Sequence, residues 1–464
     1  MSSERIGIVG LGVNNRPLVP FLLSEGHSLV VYDRRSPDAI ASELESLGIS
    51  SGVEIHGGPE YLEQLLATDL STLYLTPGMR KFGPELDRLK SQGVRFTCET
   101  DLFLSRCPAP VIGITGSAGK TTTTTLVGEA LKRDGRRPVF VGGNIGQPLL
   151  PRLKDISSEA WVVMELSSFQ LDLVERSPHG AALLNIRPNH LDVHRDFDDY
   201  KHAKGNIVRF QNKEDWAVLP FGDPVIRGLQ EEGEGRPVYF SLDQEIPHGA
   251  YRKDGQLWWR GGNGGRLVVQ ESALKLVGEH NVANALAAIA IVASAGGDLG
   301  AVAEVLSTFL GVPHRLERVA EVGGVTFIND SIATAPDRTQ AALQAIHQPI
   351  VLILGGYDKK LQYDTLAKAL NESSVKAIVA MGEVREMLVS EVRQHTRIPV
   401  VLEDTFDQAV ERASSLAQPG DVVLLSPAAA SYDMFSNFEE RGQRFREMVG
   451  IISQTRSTRS GFSE

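Results

Sequence analysis

Cysteine is scarce in this chain. Cys98 and Cys107 are the only two in 464 residues, too few for a disulfide framework. No apolar run approaches the roughly 20 residues that span a bilayer. The charged stretch at residues 1–5 leads straight into a strand-like run, unlike a signal peptide. A basic patch is also missing: the net charge is −11, and without clustered Lys and Arg to neutralise phosphates no nucleic-acid partner is expected. Neither a solenoid repeat nor a low-complexity tract occurs. What remains is ordinary globular material, 42% hydrophobic and 23% charged, which excludes disorder and collagen-like structure. The expectation is a cytoplasmic protein without a membrane segment. A monomer is expected, since no coiled coil or long apolar surface helix suggests assembly. At roughly 150 residues per domain, about three domains are expected.

Apolar runs at Arg5–Val9, Leu29–Tyr32, Leu73–Leu75 and Val94–Phe96 alternate with helical stretches such as Leu18–Leu23. That βαβ pattern implies a parallel sheet. Cys107-Pro108-Ala109-Pro110 breaks it and marks a boundary. A second block has strand-like runs at Val111–Thr115, Pro138–Val141, Trp161–Met164 and Ala181–Ile186. From about Gly205 to Gln270 the character changes. Asp254-Gly255 between Ala250–Lys253 and Gln256–Trp259 signals a type I′ hairpin, and the small antiparallel elements there read as decoration on the central domain. Gly311-Val312-Pro313 is a second hinge. Beyond it Val325–Ile328, Ile350–Leu354, Ala377–Ala380, Val400–Leu402 and Val422–Leu425 recur regularly, with helical patterns at Leu366–Leu370 and Ala409–Leu416 between them. This fits an open doubly wound sheet. The predicted fold is α/β in three domains: a Rossmann-like N-terminal domain (1–107), a P-loop ATPase domain (108–312) and a Rossmann-like C-terminal domain (313–464).

Gly113-Ile114-Thr115-Gly116-Ser117-Ala118-Gly119-Lys120-Thr121 follows a strand and opens a Thr-rich helix. Its glycines let successive N–H groups face a phosphate, and the helix N-terminus adds positive potential. Lys120 would reach the β- and γ-phosphates and the Thr121 hydroxyl would ligate Mg²⁺. The strict pattern has glycine where Ile114 stands, so this is a variant; the bland alternative is a tight turn with an accidental lysine. Mg²⁺ takes oxygen ligands, and Glu165 at a strand end can deliver one, with Ser167, Ser168 and Gln170 on the same crest. His190 and Asp192 follow another strand. His190 and His194 are four apart, a spacing also seen at zinc sites, but no Glu follows His190 in the protease manner and no cysteines cluster nearby. His194 reads equally as a satisfied structural histidine. Gly10-Leu11-Gly12-Val13-Asn14-Asn15, with Asp33 after the next strand, is a weak dinucleotide fingerprint in which Asn15 replaces the third glycine.

Together these motifs resemble the Mur ligase family, ATP-dependent amide ligases that build the peptidoglycan stem peptide. The resemblance rests on the phosphate loop, Gly142-Gly143-Asn144-Ile145-Gly146, Glu165–Gln170, Asn189–His194 and Tyr200…Ala203-Lys204. It extends through Gly278-Glu279-His280-Asn281…Asn284, His314-Arg315 and Asn329-Asp330-Ser331. The tail Leu425-Ser426-Pro427-Ala428-Ala429-Ala430-Ser431…Asp433…Phe435…Asn437-Phe438-Glu439…Arg441-Gly442 points to the family's step that adds D-glutamate to UDP-N-acetylmuramoyl-L-alanine. The resemblance implies catalytic roles for Lys120, His190 and Lys204, the last carried as a carbamate. It implies ATP contacts from Gly116, Ser117, Gly119, Lys120, Thr121, Thr122, Asn281, His314, Arg315 and Asp330, and two Mg²⁺ ions on Thr121, Glu165 and His190. Gly12, Val13, Asn14, Asp33, Arg34 and Thr76-Pro77-Gly78 would hold the uridine diphosphate, although Arg34 also reads as a plain surface arginine. Asn144, Ser167 and Gln170 would serve the muramoyl side, and Thr334, Lys359, Ser431 and Phe438 the glutamate. Three positions depart from the family: Ala118 replaces an Asn, Ile332 a Lys that would contact substrate, and Ala429 a Cys. The alternatives are a related Mur or folylpolyglutamate-type ligase, a P-loop ATPase without ligase chemistry, and a nicotinamide oxidoreductase.

Overall fold

The computed structural model describes residues 5–460 apart from 146–147, 189–192, 263, 277 and 358–362. His190 and Lys359 therefore lie outside the described residues. Two compact units divide the chain, 1–309 and 310–464.

The first unit holds two sheets. One is wholly parallel, in the spatial order Val53–Gly57, Ser28–Asp33, Arg5–Val9, Thr72–Leu75, Arg95–Thr97. Its inner strands are buried on both faces, which is why they read as unbroken apolar runs. Val53–Gly57, with Glu54 and His56 interrupting its apolar positions, is an edge strand that periodicity missed. The second sheet has nine strands, ordered Gly264–Gln270, Gln256–Gly261, Gly249–Lys253, Arg236–Ser241, Trp216–Pro220, Gly180–Leu183, Val111–Thr115, Trp161–Glu165, Val139–Gly143. From Gly249–Lys253 onward the pairing is parallel. Residues 205–270 are therefore not decoration, because they contribute five of the nine strands. The physical reason is burial: Trp216, Val218, Val238, Phe240, Ala250 and Leu257 pack in one cluster with the apolar helix Glu279–Ser294. The hairpin within it turns through Asp254 (φ 51°) and Gly255 (φ 69°), as a type I′ turn requires.

The two sheets share a core. Ile6, Ile8, Val31 and Phe103 belong to the same buried cluster as Val111, Val162 and Leu183. In the larger sheet the chain leaves Val111–Thr115 on one side first and on the other later. That switch point opens a crevice at the strands' carboxyl ends.

The second unit carries six strands, ordered Glu317–Val322, Val325–Asn329, Val422–Leu425, Ile350–Gly355, Val375–Met381, Val400–Leu402. All pairs are parallel except the first, a hairpin turned by Gly323 (φ 59°) and Gly324 (φ 75°).

Candidate active site at the phosphate loop

The phosphate loop is clasped from outside. The strand Gly180–Leu183 ends earlier than its apolar run suggests, and Leu184 N donates to Thr115 O at 2.9 Å. This turns Asn185 onto the loop. Its amide donates to Ala118 O at 3.0 Å, and its side-chain oxygen accepts from Ala118 N at 2.9 Å. Ser117 Oγ lies 2.8 Å from Tyr200 Oη and accepts from Arg187 N at 2.8 Å. Gly119 caps the helix Lys120–Asp134 at φ 84°, where a Cβ would collide with Asn284 Oδ1. Asn284 donates in turn to Asn281 Oδ1 at 3.3 Å. The amino end of that helix carries positive potential that favours an anion at the loop. Thr121 is buried and Thr122 partly buried in its first turn.

Two lysines meet at the loop. Lys120 Nζ donates to Gly116 O at 2.9 Å, and Lys204 Nζ donates to the same carbonyl at 2.9 Å and to Thr115 Oγ1 at 3.1 Å. Lys204 comes from the helix Phe197–Arg209, N-capped by Asp196, and lies over the Tyr200 ring. Burial, and secondly the Lys120 charge, hold its pKa well below the ordinary ammonium value, while Glu165 opposes the shift. This environment favours the neutral amine over the ammonium.

Glu165 ends the strand Trp161–Glu165 and is buried. Its Oε1 accepts from Asn144 Nδ2 at 2.8 Å, whereas Oε2 has no hydrogen-bond partner among the described residues. Gly143 (φ 93°) permits this approach, since a Cβ there would strike the Glu165 carbonyl. A buried carboxylate oxygen without a donor is what a hard cation satisfies, so Glu165 and Thr121 fit Mg²⁺.

The next turn, Ser168–Leu171, starts with a capping box. Ser167 Oγ accepts from Gln170 N at 3.3 Å, and Gln170 Oε1 accepts from Ser167 N at 3.0 Å. His194 is buried here, 3.0 Å from Ser168 Oγ and 3.3 Å from Asp199 Oδ2, and stacks on Phe169. It has the setting of a satisfied structural histidine.

In the N-terminal sheet Asn15, where the fingerprint has its third glycine, is buried and donates to Val9 O at 3.1 Å and Gly10 O at 3.0 Å. Asp33 accepts from Leu11 N at 2.8 Å and pairs with Arg35. Burial raises its pKa, but the Arg35 bonds outweigh this and hold the carboxyl below the usual range. Arg35, absent from the sequence candidates, is the arginine that locks Asp33. Arg34, Gly12 and Gly78 are exposed, and Asn14 is partly buried.

In the second unit Asp330 is buried, with Oδ2 accepting from Ser426 Oγ at 2.8 Å and Oδ1 from Leu316 N at 3.1 Å. Burial pushes its pKa up to about 6. His314 (φ 63°) lies against Asn329 Nδ2 at 3.1 Å, and burial, then Arg446, lowers its pKa. An accepting Nδ1 leaves the proton on Nε2. Arg315 is exposed, Thr334 and Phe438 are partly buried, and Ser431 is buried. Arg441, quoted only as part of the tail, ties these loops together. It donates to Ser331 Oγ at 3.0 Å, Ser331 O at 2.9 Å, Ala430 O at 3.0 Å and Ala429 O at 3.1 Å.

Three family profiles match the chain: a Mur ligase MurD-like N-terminal domain over residues 4–98, a Mur ligase middle domain over 114–292, and a Mur ligase glutamate ligase domain over 314–429. A UDP-N-acetylmuramoylalanine--D-glutamate ligase of Symbiobacterium thermophilum is 44% identical over 458 residues, covering 97% of this chain and 98% of the relative. Another of that name from Acetivibrio thermocellus is 40% identical over 461 residues, covering 97% of each. Among solved structures, a murein peptide ligase of Psychrobacter arcticus superimposes with a TM-score of 0.52 at 18% identity, over 97% of this chain and 99% of that one.

Proposed function

The chain belongs to the Mur ligase family, and on that premise we propose that it joins D-glutamate to UDP-N-acetylmuramoyl-L-alanine, cleaving ATP to ADP and phosphate. The observation that carries the reading is the cluster of Lys120, deeply buried Lys204 and buried Glu165 around one phosphate loop.

A free carboxylate does not form an amide in water at a useful rate, so activation is the central task. An oxygen of the alanyl carboxylate attacks the γ-phosphorus of ATP, the bond to the β-phosphate oxygen breaks, and ADP leaves. The D-glutamate amine then attacks the acyl phosphate carbonyl, loses a proton, and phosphate departs. Lys120 and the first amides of its helix hold the negative phosphoryl oxygens. Glu165 and Thr121, with His190 assigned by the resemblance, would hold two Mg²⁺ ions, which supply charge neutralisation when bound. Lys204 as a neutral amine can add carbon dioxide, releasing one proton and becoming a carbamate anion beside Lys120. Asp33, Asn14, Gly12, Gly78 and Arg34 serve the uridine diphosphate, and Asn144, Ser167 and Gln170 the muramoyl side. Asn281, His314, Arg315 and Asp330 serve the rest of the ATP. Thr334, Lys359, Ser431 and Phe438 serve the glutamate, whose two carboxylates call for a cation and hydroxyls. The substrates are small molecules, and we place the enzyme in the cytoplasm as a monomer. Among the described residues no helix is long and apolar enough to cross a membrane.

The test is phosphate release from ATP with UDP-N-acetylmuramoyl-L-alanine and, in parallel, D-glutamate, L-glutamate, meso-diaminopimelate or no acceptor. Release is expected only with the muramoyl nucleotide and D-glutamate together. Preference for another amino acid would reassign the step, and release indifferent to acceptor would overturn the ligase reading.

A further inference from the structure

The helix after Glu165 is one turn long, Ser168–Leu171. The last four carbonyls of any helix lack intrahelical partners, so a helix this short depends on outside donors. Three side chains supply them in succession. Lys81 Nζ donates to Phe169 O at 2.7 Å, the Cys98 thiol to Gln170 O at 3.4 Å, and Asn206 Nδ2 to Leu171 O at 2.9 Å. The first two come from loops that follow strands of the N-terminal sheet. Lys81 is 8% exposed, and its ammonium also meets the Asp172 carboxylate at 3.0 Å. A buried ammonium is costly unless paired, and both its acceptors lie on or beside this turn. Just beyond, Asp101 accepts from Glu175 N at 3.0 Å and Arg176 Nε at 3.3 Å, continuing the same seam.

We infer that Lys81 is a positioning residue for the ligation: through it the N-terminal sheet sets the register of the turn that presents Ser167 and Gln170. The inference rests on the assignment of those two residues to the muramoyl side. The loop carrying Lys81 begins at Thr76-Pro77-Gly78, assigned to the uridine diphosphate. One stretch of chain therefore reaches toward both ends of the same substrate.

Steady-state kinetics of the full chain test this. Lys81→Met is expected to raise KM for UDP-N-acetylmuramoyl-L-alanine about tenfold while KM for ATP stays within about twofold. Lys81→Arg, which keeps the cation, is expected to recover most of the loss. A seam that merely stabilises would lower the melting temperature and the active fraction without moving one KM selectively, and that result would overturn the inference. Should Lys81→Met not fold, Asp172→Asn removes the counter-charge of the ammonium and is expected to raise the same KM about threefold; no change there would also overturn it. Gln170→Ala separates the two readings. If it leaves that KM unchanged while Lys81→Met raises it, the role of Lys81 stands and the assignment of Gln170 falls.

Discussion

Lys204 and Arg441 are both about 1% exposed, one beside the phosphate loop and the other under the tail of the second unit, and the fold treats them in opposite ways. Lys204 finds one carbonyl and one hydroxyl, and a second cation, Lys120, presses on it. Arg441 spreads its donors over three carbonyls and a hydroxyl. Burial lowers its pKa only to about 10, so it stays charged at neutral pH. Equal burial thus favours loss of the proton in one place and leaves a charged brace in the other. Acceptor number and the sign of the nearest charge decide which. The neutral amine has a lone pair for chemistry, while the saturated guanidinium has only geometry to offer.

The sharpest way to break this contrast is to make both sites apolar. Lys204→Met is expected to cut kcat about 10³-fold, roughly 4 kcal/mol of barrier, with little change in melting temperature because a poorly solvated amine is replaced by an isosteric thioether. ADP release and a thermal scan check both halves, and a variant keeping a tenth of the rate would end the catalytic assignment. Arg441→Met should do the reverse in kind. Several buried acceptors lose their donors at once, costing about 3 kcal/mol of stability. Urea unfolding of the full chain measures it, and a loss under about 1 kcal/mol would show that Arg441 is not the brace described.

How much of this contrast was legible beforehand depends on range. The phosphate loop, Glu165 and the strand ends carrying them are local patterns, and the strand-to-helix turn with its Gly-Lys-Thr ending could be read directly. Lys204 was reached by resemblance alone, because nothing within its helix indicates that Thr115 and Gly116, 88 and more residues earlier, will bury it. Arg441 sat inside a quoted motif with no role, since its acceptors lie on two loops that only folding brings together. Lys81 left no signal at all. Its partners are a backbone carbonyl 88 residues away and Asp172, and one lysine in a polar loop looks like any other. Arg35 rather than Arg34 holds Asp33, a choice set by which side of the strand end each faces. The edge strands Val53–Gly57 and Glu317–Val322 gave no clear period for a shared reason: half-exposed strands mix polar and apolar positions, and neighbour strands rather than their own pattern decide their place.

The smallest effect discriminates best between the two cations, because it reads the proton itself. A base whose folded pKa is depressed is neutral in the native chain but protonated when unfolded. The unfolded state then binds more protons, and stability rises with pH between the folded value and the unfolded one. For Lys204 that window ends at the ordinary lysine value, and for Arg441 it opens only at about 10 and extends up to the ordinary arginine value. Below about pH 9.5 only Lys204 of the pair contributes, from its depressed folded value upward. In carbon dioxide-free buffer, wild type should gain on Lys204→Met by about 1 kcal/mol per pH unit over that range, whereas Arg441→Met should run parallel to wild type. Denaturation midpoints at three pH values suffice. A flat difference for Lys204→Met would mean that the buried amine keeps its proton in the folded enzyme, which would leave it without the lone pair that carbamate formation needs.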